Sequence, residues 1–226
     1  MAGIEHRMIC DGVEFLGFRD PKFKTARMSV HFLLPMCKEE ASANALLPFL
    51  LRKGCRKLPD FTKLEQRLAE LYGASLSADV DKVGDMQVLS VAASGLADCY
   101  ALEGEPVLQH LADLLCSVLF DPLLEDGLFP LDGFEQEKRQ TIELIETELN
   151  EKRSYARQRC ESLMCTEEPY GLSRYGTREE VAALERPQLT ESWKHVVAHA
   201  PARVIVMGNG ELEPLYERFC RALCAR

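Results

Sequence analysis

Residues 27–34 set Met28, Val30, Phe32 and Leu34 on one side of an extended chain and Arg27, Ser29 and His31 on the other. Period two is the signature of a strand with one buried face. A chain built around such a strand must supply further strands to pair with it. It must also supply a layer that covers the apolar side.

The pairing partners are legible. Two apolar stretches within residues 5–19 flank Asp11-Gly12, a strong hairpin signal. Residues 75–81 and 85–93 read as a second antiparallel pair turning at Lys82-Val83-Gly84, and Arg203–Met207 as a returning strand. The covering layer is legible too. Pro59-Asp60 leads into a helix with Leu64, Leu68 and Leu71 on one face, ended by Tyr72-Gly73. Pro106 opens a helix with a broad stripe that includes Leu108, Leu111, Leu115 and Leu119. Phe134 to about Met164 reads as one long amphipathic helix, with Ile142, Ile145, Leu149, Ala156, Cys160 and Leu163 along its apolar side. Residues 123–132 read as an irregular loop before it. Shorter helices are expected from Thr177, from Thr190 to His199 with Trp193 in the core, and from Leu212 onward. The fold class is α+β, expected as a single module over residues 1–226.

The net charge is −9, which disfavours nucleic acid and anionic lipid as partners. No segment reaches the roughly 18–20 apolar residues of a membrane span. The first residues, Met1 to His6, lack the apolar core of a secretory signal, so a cytoplasmic location is expected. The nine cysteines contain no Cys-x-x-Cys pair and are expected to be free thiols rather than a disulfide framework. His195 and His199 lie four apart on one expected helix, a spacing that suits a metal. No carboxylate or thiol is spaced to complete the set, and a helix C-terminus favours histidine anyway. His6, His31 and His110 stand alone in sequence.

Four stretches together resemble the insulinase/pitrilysin/mitochondrial-processing-peptidase family, from about Val13 to Gly208. They are the strand at 27–34 followed by the helix Asn44 to Gly54; Leu71-Tyr72-Gly73-Ala74; Phe134-Glu135-Gln136-Glu137-Lys138-Arg139; and Glu168-Pro169-Tyr170-Gly171 before Tyr175-Gly176-Thr177. The resemblance implies a LuxS/MPP-like layered domain, a mostly antiparallel sheet covered by helices on one face. Within the family the chain resembles the bacterial non-catalytic insulinase-like proteins associated with aminopentanol modification of elongation factor P, in their N-terminal module only.

Catalytic members carry His-x-x-Glu-His on the first helix, with two zinc ligands one turn apart and a general base between them. Aligned on Arg52-Lys53-Gly54, the ligand positions fall on Ala45 and Phe49 and the base on Pro48. None has a lone pair or proton to offer. Glu137 matches an acidic position near the start of the long helix. Glu143 and Glu146 lie near the expected third ligand, with Leu144 and Ile145 in the adjacent positions. Pro48 would cost about 3 kcal/mol or more inside a helix, so the helix is expected to begin at 44–46 or to kink.

The resemblance implies no metal and no cofactor, with Ala45, Pro48 and Phe49 as a degenerate motif. Glu143, Glu146, His195 and His199 are weak metal candidates. The expected function is a non-catalytic homologue that pairs with a second, zinc-bearing module and helps enclose unfolded peptide. A homo-oligomer is a further possibility. The alternatives are a hydrolase with unconventional ligands such as His195 and His199, and a purely structural subunit.

Overall fold

The computed structural model describes residues 3–224. The outermost residues of the expected 1–226 module, and the side chain of Leu149 in the expected stripe, lie outside the described residues.

Six strands form one sheet: β1 (Ile4–Cys10), β2 (Val13–Arg19), β3 (Thr25–Pro35), β4 (Ser75–Val83), β5 (Met86–Leu96) and β6 (Ala202–Gly208). Their spatial order is β1-β2-β6-β3-β5-β4. Only the β2–β6 pairing is parallel. The Asp11-Gly12 turn joins β1 to β2, with Gly12 at φ 71°, a conformation that favours glycine. The turn between β4 and β5 sits at Gly84-Asp85, one residue later than the sequence suggests, because Lys82 and Val83 remain in register with Gln87 and Met86.

Every helix that touches the sheet lies on the side to which Met28, Val30, Phe32 and Leu34 point. These four residues are buried. The helices are α1 (Lys38–Leu51), α2 (Phe61–Glu70), α3 (Val107–Phe120), α4 (Leu131–Asn150), α5 (Lys152–Met164), α6 (Arg178–Ala183), α7 (Arg186–His199) and α8 (Leu212–Leu223). On β2, a Cβ at Gly17 would stand 2.7 Å from Leu212 Cδ1 of α8, so the glycine lets that helix approach. On β5, the buried Gln87 amide donates to the carbonyls of Ala41 in α1 (2.9 Å) and Arg174 (2.6 Å). That pair of bonds pins the first helix to the sheet.

Four helices depart from the sequence expectation; α7, expected from Thr190, begins at Arg186 behind the Glu185 capping box. The long amphipathic segment is two helices, broken where Glu151 leaves helical geometry (φ −83°, ψ 105°). The Glu151 carboxylate caps the second helix, accepting from the amides of Arg153 and Ser154. A continuous apolar stripe carries no mark of that cap. The first of these helices also begins at Leu131, inside the stretch expected to be an irregular loop. Finally, α1 begins at Lys38 and runs through Pro48, so the start expected at 44–46 is wrong. Glu39 and Glu40 suit its first turn. Pro48 deprives only the Asn44 carbonyl of its helical donor. Its ring is buried with Phe32, Leu47 and Leu51, and that burial offsets the cost.

Candidate site between the first and fourth helices

The C-terminal half of α1 packs on α4, and the motif positions lie along this seam. Ala45 is fully buried in the core and Pro48 is buried beside it. Phe49 is half-buried and faces a groove of about 490 Å³. The groove is completed by Arg52, Glu137, Gln140, Glu143, Leu144 and Thr147. Ala45 and Phe49, one turn apart, share a side of α1 but differ in depth. Ala45 points into the core, and only Phe49 reaches the groove.

Glu137 is the charged residue buried deepest at this seam, 3% exposed. Lys53, one turn beyond Phe49, places Nζ 2.9 Å from Glu137 Oε1 and donates to Gln136 Oε1 at 2.9 Å. With the Gln140 amide turned so that its nitrogen faces the carboxylate, it donates to both Glu137 oxygens at 3.2 and 3.3 Å. The carboxylate is therefore neutralised and hydrogen-bonded from within the chain.

The other candidates divide. Glu143 lines the groove. Glu146 is exposed and pairs with Arg178 Nε of α6 at 2.9 Å. Leu144 lines the groove with Phe49 and is 41% exposed. The sequence pointed to Leu144 only as a neighbour of the expected third ligand; its place in the groove follows from the α1–α4 packing. Ala45, Phe49 and Leu144 offer a cation no donor, so these residues do not fit a zinc ion. His195 and His199 sit on the exposed side of α7 with ring centroids 5.1 Å apart. Among the described residues no group of three or more His, Cys, Asp or Glu side chains is placed to hold a metal. Trp193, on the same helix, is only partly buried. Its indole N–H donates to the Leu119 carbonyl at 2.9 Å, and a buried polar edge needs such an acceptor.

The chain is 30% identical over 188 residues to the probable inactive metalloprotease YmfF of Bacillus subtilis. It is a homologue of that probable inactive metalloprotease. The match covers 83% of this chain and 44% of that relative. A conserved protein from Enterococcus faecalis superposes with a TM-score of 0.90 at 25% identity, over 97% of this chain and 52% of that one. The peptidase M16 inactive domain from Pseudomonas fluorescens superposes with a TM-score of 0.75 at 15% identity, over 99% and 50%. No family model matches. The chain, which shares the fold of that M16 domain, thus spans about half the length of these relatives. Among its described residues, no helix is long and apolar enough to cross a membrane.

Proposed function

We propose that this chain is a non-catalytic peptidase-like module that pairs with a second, zinc-bearing module and helps enclose an unfolded peptide in the cytoplasm. One observation carries the reading. The seam where the family's chemistry would sit is intact as packing and lacks the histidine pair and the base: Ala45 is buried in the core, Pro48 stands in place of the base, and Phe49 and Leu144 line the groove. The half-length match to its relatives supports a second module as partner. The groove supports peptide binding, because apolar side chains lie beside amide, hydroxyl and charged groups suited to a peptide backbone.

The test is elemental analysis and reconstitution. The purified chain is expected to hold no stoichiometric zinc and to cleave no unfolded peptide alone. Mixed with an insulinase-type homologue that carries His-x-x-Glu-His, it is expected to form a complex that binds extended fluorescent peptide. Stoichiometric zinc in the chain alone would overturn the proposal. Complex formation without peptide affinity would leave the purely structural subunit.

A further inference from the structure

Helix α5 is turned inside out. None of its residues is buried. Ser154, Gln158, Glu161 and Ser162 are half-buried on the side that faces the rest of the molecule. Three of them, Ser154, Gln158 and Glu161, line a cleft with Asp81, Lys82 and Tyr170. The outward side carries the apolar residues. Ala156 and Cys160 are exposed, Tyr155 is 46% exposed, Leu163 61% and Met164 78%. Ala156, Cys160 and Leu163 belong to the stripe that the sequence places on the apolar side of one long helix. Cys160 Sγ lies 3.4 Å from Met164 Sδ, so these side chains are gathered rather than scattered. Lys82 fixes the orientation. Its Nζ donates to Glu161 Oε2 and to the Tyr170 carbonyl, both at 2.9 Å, and lies over the Tyr170 ring. Rolling the helix to bury its apolar side would break the Glu161 contact. A surface helix ordinarily turns its apolar stripe to the core. A stripe held outward marks a binding surface.

The charge on α5 identifies the partner. In a chain of net charge −9, this helix holds Lys152, Arg153, Arg157 and Arg159 against Glu161 alone. All four cations are exposed. Arg157 Nε stands 3.8 Å from Glu161 Oε1, a carboxylate that Lys82 already holds. Among the described residues, Lys152, Arg153 and Arg159 ion-pair with no carboxylate. Basic residues around an apolar stripe suit an acidic amphipathic peptide or an anionic membrane. Charge decides between the two. The helix holds +3, so the remainder of the chain holds −12. A bilayer would meet that remainder and repel it, whereas a peptide segment meets the helix alone. We infer that the outward side of α5 docks an acidic polypeptide segment with apolar side chains. Its carboxylates meet Arg153, Arg157 and Arg159, and its apolar residues cover Tyr155, Leu163 and Met164. No residue of α5 lines the α1–α4 groove, so this surface is separate from that site.

The experiment is fluorescence anisotropy of the full chain with a fluorescein-labelled synthetic peptide of repeating Glu-Leu-Leu-Glu-Asp-Leu-Glu. Two counterparts carry Lys at every acidic position or Ser at every Leu. Vesicles of phosphatidylglycerol and phosphatidylcholine are the membrane probe. The variants are Arg153→Glu with Arg159→Glu, and Leu163→Ser with Met164→Ser, each checked for folding by circular dichroism. Lys63→Glu, exposed on α2, serves as control. The acidic peptide is expected to bind, and both counterparts at least tenfold more weakly. Its dissociation constant is expected to rise at least tenfold in either double variant and to stay unchanged in the control. Failure of the acidic peptide to bind, or equal binding of the Lys counterpart, would overturn the surface without any variant being needed. Binding that both folded double variants leave intact would put the peptide elsewhere, in the α1–α4 groove for example, and overturn it too. Affinity for the vesicles but not for the acidic peptide would replace the polypeptide with a membrane.

Discussion

Lys53 Nζ lies 2.9 Å from Glu137 Oε1, joining the end of α1 to a carboxylate buried in α4. The ammonium keeps partial access to water while the carboxylate has almost none. Removing the cation therefore leaves a buried charge uncompensated. Lys53→Met is expected to cost about 3 kcal/mol, read from the urea midpoint at unchanged slope. The double variant Lys53→Met with Glu137→Leu should recover most of that loss.

The burial of Ala45 makes the absence of ligands hard to reverse. A histidine there has no room and no partner, and overpacking typically costs about 1–3 kcal/mol. Ala45→His with Phe49→His is expected to lower stability by about 2 kcal/mol or more. Zinc titration should leave its melting temperature unchanged. A rise in melting temperature with added zinc would show that the seam can still gather ligands.

On the sheet face away from the helices, His31 hydrogen-bonds Ser90 Oγ at 2.7 Å through Nδ1 and Ser29 Oγ at 2.8 Å through Nε2. Burial, and then the nearby Arg27 charge, hold its imidazole below the usual histidine range. The unfolded chain, with histidine titrating at about 6.5, then takes up a proton more readily than the folded one. His31 therefore favours the folded state above about pH 6.5, and that contribution is lost as pH falls. Urea melts between pH 7.5 and 5.5 are expected to show a decline in stability that is shallower in His31→Asn.

Cysteine reactivity offers an independent check on the core. Burial pushes the Cys116 thiol up to about 12. Cys99, Cys160 and Cys224 are exposed. Iodoacetamide at pH 8 is expected to modify these three in the native protein and to reach Cys116 only in denaturant, as read by peptide mass spectrometry.

The strands were legible because of period two: the residues that alternate in sequence at 27–34 alternate in burial, except that Ser29 is buried as well. The one-sided helical layer followed from the family resemblance, and the stripes on α2 and α3 fit it. Two boundaries were hidden for physical reasons. A glutamate is an uncommon cap, so Glu151 left no signal that the long helix divides. Pro48 read as a helix breaker because its cost is local, while the burial that offsets it is tertiary. At the candidate site the residue types were readable but their placement was not. How deeply Ala45 and Phe49 are buried depends on how closely α1 packs on its neighbours, and the role of Glu137 depends on Lys53, 84 positions earlier in the chain.

The strand order carries a further consequence, for synthesis. Among the described residues, β6 is the last strand in sequence, yet it lies between β2 and β3 and alone bridges them. Until the ribosome has released Gly208, the β1–β2 hairpin and the β3–β5–β4 ribbon are separate pieces, each with a bare apolar edge. Between the synthesis of Leu96 and that of Gly208 the growing chain holds two unfinished half-sheets, and a chaperone that shields such edges would meet it in that interval.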